Sequence, residues 1–334
     1  MRMKGKLKTK VLSFLLGPLT WVDSFDTDGK KTFTDYEAAG EDWRANDTVS
    51  TILRHIAHSE RWEKEKPFCL NLPLPEGQPK TNFIGSNHTD IPICNVRGRE
   101  GDFKLDIHGF AFTKLPVFQA SFEDTDEIET TYLAGMEDFL KRELQADEVF
   151  IFDYTTAWYG GSRGPNPRGC FEANAAPFWR GGRRPDQGPD AAHKVGHTPC
   201  RNKSWLCHVL TLSSVWRPTF GPLEDCPIAV CDSRTLEESE LVASDLVYPH
   251  YVGEKYDVKY SSQHNWYYLR GMMNDECLLI KNFDTAVDGR ARFCAHCAFV
   301  DPTTPVGARA RESIEVRAMV FHHGPQNLQS ISGD

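Results

Sequence analysis

Apolar and polar residues alternate with a period of two over much of this chain, the spacing of a strand with one buried face. From Ser204 to Phe321 the pattern is nearly continuous. LCHVLTLSSVWRP, PIAVCDSR, YDVKYSSQHNWYYLRGM, ECLLIKNFD, RARFCAHCAF and SIEVRAMVF are short apolar-rich runs separated by turns. Such a series predicts a β-sandwich or jelly roll, whose inward side chains converge on a central cavity. Upstream, FCLNLPL, NVRGREGDFKLDIHGFAF and LPVFQASF alternate and turn, with Asp106-Ile107-His108-Gly109-Phe110 read as a strand ending in a glycine turn. Val49, Ile52, Leu53 and Ile56 fall at helical spacing, so a helix is predicted there, closed by the charge-dense HSERWEKEK. The clearest helix lies between Asp124 and Asp147. Asp124 or Asp126 can cap it, and Tyr132, Met136, Phe139, Leu140 and Leu144 make one apolar face. The strand EVFIFDY follows directly. The expected fold is mainly β with flanking helices.

Residues 158–190 break the pattern. They are crowded with Gly, Pro and Arg and have no periodicity, and their aromatics (Trp158, Phe171, Phe178, Trp179) favour a lid over a solvated linker. The organisation predicted is a single domain over 1–334. Strands and helices of 10–157 pack on the core, a lid-like loop spans 158–190, and 191–322 forms the main part of the jelly roll. The basic, apolar N-terminus has only a short apolar run interrupted by Pro18 and no small-x-small cleavage site, so it reads as a first strand after a basic tail.

Composition narrows the function. The net charge is 38 − 47 = −9 with no long basic run, which argues against nucleic acid, and no stretch is long enough to span a membrane. The ten cysteines are scattered; Cys294 and Cys297 form the sole CxxC, and Cys226 with Cys231 has the wrong spacing for a second zinc pair. Reduced, buried thiols in a cytoplasmic protein are expected instead. The Asn-x-Ser/Thr matches at Asn46, Asn87 and Asn202 carry no weight without a secretory signal.

The chemistry concentrates in VDGRARFCAHCAFVDPTTPVGARARESIEVRAMVF, where His296 sits on an apolar strand and Arg311-Glu312-Ser313 leads into the last one. VWRP (215–218), PIAVCDSR (227–234), HNWYYLRGM (264–272), ARFCAHCAFVDP (291–302) and RESIEVRAMVF (311–321) occur in order, preceded by NVRGREGDF, LDIHGF and EVFIFDYT. Over roughly residues 10–322 the chain resembles the fungal and bacterial hydroxylase/desaturase family that includes gibberellin desaturase and a cephamycin methoxylation subunit. The resemblance implies a double-stranded β-helix (cupin-like jelly roll), Fe(II), 2-oxoglutarate and a natural-product substrate of polyketide or terpenoid type. By residue, it implies His296 as the distal iron ligand and Arg311 with Ser313 as the 2-oxoglutarate clamp. A homodimer is compatible with it.

The first two ligands of that family should be a His-x-Asp before VWRP. Here the segment reads Ala191-Ala192-His193-Lys194-Val195-Gly196-His197-Thr198-Pro199, and no register restores the Asp. Three readings follow. His193, His197 and His296 can form a three-His site, or Gly196 can leave a position open for a halide. A metal-free pocket can instead run a cyclisation, isomerisation or dehydration with His193, Lys194 or His197 as acid or base. Finally, the chain can be a non-catalytic partner subunit. Trp216, Arg217 and Tyr267 are candidate substrate contacts, with a structural ion pair the competing role for Arg217. Of Trp266-Tyr267-Tyr268, either Tyr267 alone or its two neighbours face the cavity. His108 is expected to be structural, His250 and His264 to lie on the surface, and His322 and His323 to fall past the last strand.

Overall fold

A computed structural model describes residues 47–116, 122–158, 174–178, 208–249 and 251–323. Within them two sheets pack face to face. The smaller has the order β5 (Glu148–Trp158), β14 (Glu312–His323), β7 (His208–Pro218), β12 (Glu276–Asp284), β4 (Phe110–Lys114), with every pairing antiparallel. The larger runs β1 (Thr48–Ile56), β3 (Gly85–Asn95), β11 (Trp266–Tyr268), β8 (Ile228–Cys231), β13 (Ala295–Ala298), β6 (Asn174–Phe178), β10 (Tyr251–Val258), β9 (Leu241–Tyr248), β2 (Phe68–Leu70). From β7 onward the chain passes repeatedly from one sheet to the other, as in a jelly roll, and places β13 opposite β14.

The predicted helix after Asp124 is present. The Asp124 carboxylate accepts from the Asp126 and Glu127 amides, a π turn spans Ile128–Tyr132, and Leu133–Glu143 is α-helical. Tyr132, Met136, Phe139 and Leu140 are buried against the outer face of the small sheet, on Val149, Val215, Cys277, Leu279, Ile314, Val316, Ala318 and Val320. That packing identifies the even-numbered residues of β14 as outward-facing. Its odd-numbered residues therefore point between the sheets.

Four expectations are corrected. Residues 48–56 are a strand, not a helix: Val49, Thr51, Leu53 and His55 are buried in alternation, and Ile52, the residue that suggested a helix, is 40% exposed at a register shift. Both periods fit four apolar residues, and antiparallel pairing with β3 decided for the strand. Leu105–His108 is a turn of helix, ended by Gly109 at φ +82° before β4 begins. Finally, β14 continues to His323, and His264 is buried with Nε2 2.8 Å from Glu240. His108 is buried and takes the Lys104 amide on Nδ1, a structural role.

Gly109 yields a prediction. A Cβ there would lie 2.9 Å from both the Phe293 carbonyl oxygen and Cys294 Cβ, on a backbone already in the left-handed region. Gly109→Ala should cost about 2–3 kcal/mol in chemical denaturation, because strain and clash add. A loss under about 0.5 kcal/mol would show that this crossing is not close-packed.

Candidate active site

Alternation along β14 turns Arg311-x-Ser313-x-Glu315-x-Arg317 into a polar comb aimed between the sheets, with teeth about 6.6 Å apart. Arg311 is buried; its Nη1 donates to the Cys226 carbonyl at 2.6 Å, and its guanidinium lies 5.9 Å from the Trp216 ring. Cys226 has φ +46°, an unfavourable conformation for a residue with a side chain, and that twist turns its carbonyl toward the arginine. Ser313 is buried two residues further on. Glu312 pairs with Arg309 and Glu315 with Arg317.

Facing this comb, His296 lies on β13 in register with Val230 of β8, which is in turn in register with Tyr267 of β11. Val230 and Tyr267 pack in the cluster that contains Trp216, Leu278 and Ile280, so this row points into the space between the sheets. His296 Nδ1 is 3.0 Å from the Cys294 carbonyl. A carbonyl only accepts, so Nδ1 carries the hydrogen and Nε2 keeps its lone pair, the form that binds a metal. Burial holds the imidazole below the ordinary histidine pKa and so keeps it neutral.

Next to His296 is a network of charge. Arg317 bonds Asp153 at 2.6 Å and Glu315 at 2.9 Å. Ser214 hydrogen-bonds Glu315 and takes a hydrogen from Asn282 Nδ2 at 2.7 Å. Burial acts to raise the Glu315 carboxyl, but the Arg317 guanidinium and the Ser214 hydrogen bond outweigh it and hold it below the ordinary glutamate value. Although protein surrounds them, the side chains of Glu315 and Arg317 keep 22% and 23% of their surface accessible.

Of the other sequence candidates, Trp216 is buried on the inner face, and Tyr267 is buried there against Phe103 and Phe110. Tyr267 is the inward residue of its triplet; Trp266 and Tyr268 belong to a separate cluster behind the large sheet. Arg217 turns the opposite way, to the helix side, with its guanidinium 5.1 Å from the Phe122 ring and 5.5 Å from that of Tyr132. It does not face the space between the sheets. His193, Lys194 and His197, most of the lid-like loop, the basic tail and His250 lie outside the described residues. Cys294 and Cys297 are buried thiols, with Cys297 pushed up to about 12 by burial. Among the described residues no three His, Cys, Asp or Glu groups converge to hold a metal ion.

Sequence reasoning passed over Glu315, Arg317, Asp153, Ser214 and Asn282. The signal was there for two of them, since Ile314, Val316, Ala318 and Val320 claim one face of β14 and leave Glu315 and Arg317 the other.

The donor set fits a ferrous ion and a dicarboxylate in part: a neutral imidazole with a free lone pair opposite a buried guanidinium and hydroxyl. The comparisons agree. Residues 56–321 match the family model described as "Oxidoreductase/YMDC permease-like domain". The chain is 32% identical over 273 residues to the Fe(II)/2-oxoglutarate-dependent dioxygenase nvfI of Aspergillus novofumigatus, covering 77% of this chain and 91% of the relative. It is 30% identical to the hydroxylase/desaturase CTB9 of Cercospora beticola, covering 69% and 76%. A solved structure of the iron and alpha-ketoglutarate-dependent endoperoxidase NvfI superimposes with a TM-score of 0.66 at 26% identity, covering 84% of this chain and 100% of that one. The chain belongs to the oxidoreductase family of Fe(II)/2-oxoglutarate-dependent dioxygenases and hydroxylase/desaturases found in fungal secondary metabolism.

Proposed function

We propose that this chain is a Fe(II)- and 2-oxoglutarate-dependent oxygenase that hydroxylates, desaturates or otherwise oxidises a small natural product of polyketide or terpenoid type. What supports the reading is that His296, its Nδ1 bonded to the Cys294 carbonyl and Nε2 left to bind, stands in an inward row of the large sheet, while the buried Arg311 and Ser313 belong to the inward side of β14. Bound there, the iron would couple oxidation of 2-oxoglutarate by dioxygen to oxidation of the substrate. The protein's own residues do the placing. Arg311, fixed by the Cys226 carbonyl and the Trp216 ring, presents a buried cation to the distal carboxylate, and Ser313 adds a hydroxyl. Trp216 and Tyr267 pack in the apolar cluster on the inner face and exclude water. On this reading His193 and His197 supply further nitrogen to the ion, with Lys194 beside them. The free, buried thiols favour a reducing compartment and thus a cytoplasmic site of action.

The test is anaerobic addition of Fe(II) and 2-oxoglutarate, followed by the visible charge-transfer band, then oxygen uptake. Wild type should give both signals. Arg311→Lys should raise the 2-oxoglutarate KM by about tenfold or more with a smaller change in kcat, because a point charge replaces a bidentate fork. An unchanged KM would remove Arg311 from the clamp. Turnover of substrate in EDTA under nitrogen would instead support a non-oxidative enzyme.

A further inference from the structure

The segment 191–199 has no carboxylate where the family's metal site needs one, yet the inward face of β14, opposite the strand that carries His296, holds one. We infer that Glu315 supplies the missing carboxylate and binds the same metal ion as His296. The inference rests on the oxygenase reading and deepens it.

Four features support this. Glu315 shares the inward face of β14 with Arg311 and Ser313 and lies opposite the strand that carries His296. Second, Arg317 pairs with both Glu315 and the more exposed Asp153, so one positive charge is shared between two carboxylates and leaves negative charge on Glu315 that a cation would offset. Third, a carboxylate offers about four lone-pair positions. Arg317 occupies one on each oxygen and Ser214 a third, which leaves one for a metal while the group is held rigid. Fourth, Glu315 lies about 13 Å along the strand from Arg311, which leaves room for a short dicarboxylate between the clamp and the ion.

The competing role is purely structural, with Glu315 present only to neutralise Arg317. Anaerobic Co(II) titration of the full chain separates the two, with Co(II) as spectroscopic stand-in for Fe(II). Glu315→Gln keeps size and one of the two hydrogen bonds from Arg317 while removing the charge. It should weaken Co(II) binding by at least roughly 30-fold and change the visible ligand-field absorption. Glu315→Asp, which keeps the charge, should recover part of both and serves as the reference if the Gln variant folds poorly by near-UV circular dichroism. A Glu315→Gln protein with wild-type affinity and spectrum would overturn the inference and leave the oxygenase reading intact, as would Gln and Asp variants equally weakened with an unchanged spectrum. A wild-type chain that takes up neither Co(II) nor Fe(II) would sink both.

Discussion

His296→Ala is expected to abolish the 2-oxoglutarate charge-transfer band and bring 2-oxoglutarate-dependent oxygen uptake down to background. The effect should be large because the side chain is prepared for one task. Its Nδ1 is committed to the Cys294 carbonyl, burial keeps it neutral, and its remaining nitrogen faces the interior. Removing a direct metal ligand costs more than removing the groups that orient one, which already costs about 10–100-fold in affinity. Fe(II) affinity should therefore fall by at least roughly 100-fold. Stability should change little, since loss of the ring leaves no unpaired buried charge. Oxygen uptake retained at the wild-type rate would take His296 out of the site and leave the clamp without its metal.

Substitution of Lys281 should have the largest effect on stability. Its ammonium is almost fully buried, pairs with Asp284 at 2.7 Å and also reaches Asp106. Asp284 is itself completely buried and takes a hydrogen from Thr211. Lys281→Met preserves volume but leaves the Asp284 carboxylate without its counter-ion. Breaking a buried pair from one side typically costs about 3–5 kcal/mol, because it leaves an uncompensated charge out of water. A melting temperature lower by on the order of 10 °C is expected. Lys281→Met with Asp284→Leu should regain much of that loss, since an apolar pair needs no compensation. If the double variant is no better than the single one, the ion pair is not the source of the effect. The pair also bears on the site, because the Lys281 carbonyl accepts the Cys294 amide, two residues before His296, and the Asp106 carbonyl accepts that of Ala291.

Several local features could be read without the fold. The helix after Asp124 carried its cap and apolar stripe in the sequence, and both depend only on neighbours three or four residues away. The strands β7, β8 and β11 to β14 were legible as period-two runs for the same reason, whereas β9, in a stretch that reads as a polar loop, and β6, inside the lid-like 158–190, were not. Residues 48–56 were not, because their apolar positions satisfy two periods and the choice is made by β3, some forty residues downstream. Nor was the turn at Leu105–His108, which Gly109 ends under the loop at Phe293 and Cys294.

The site divides along the same line. Sequence alone determined the ligand-type histidine, the Arg-x-Ser that follows it and the absence of an Asp in 191–199, since these are facts of residue type and order. Tertiary structure decided which way each side chain points and what it meets. It sent Arg217 to the helix side, turned Tyr267 inward and its two neighbours outward, and set Glu315 and Arg317 across from His296. These outcomes depend on which sheet face is covered by the helix and which strand lies opposite, contacts between residues far apart in the chain that no local pattern encodes.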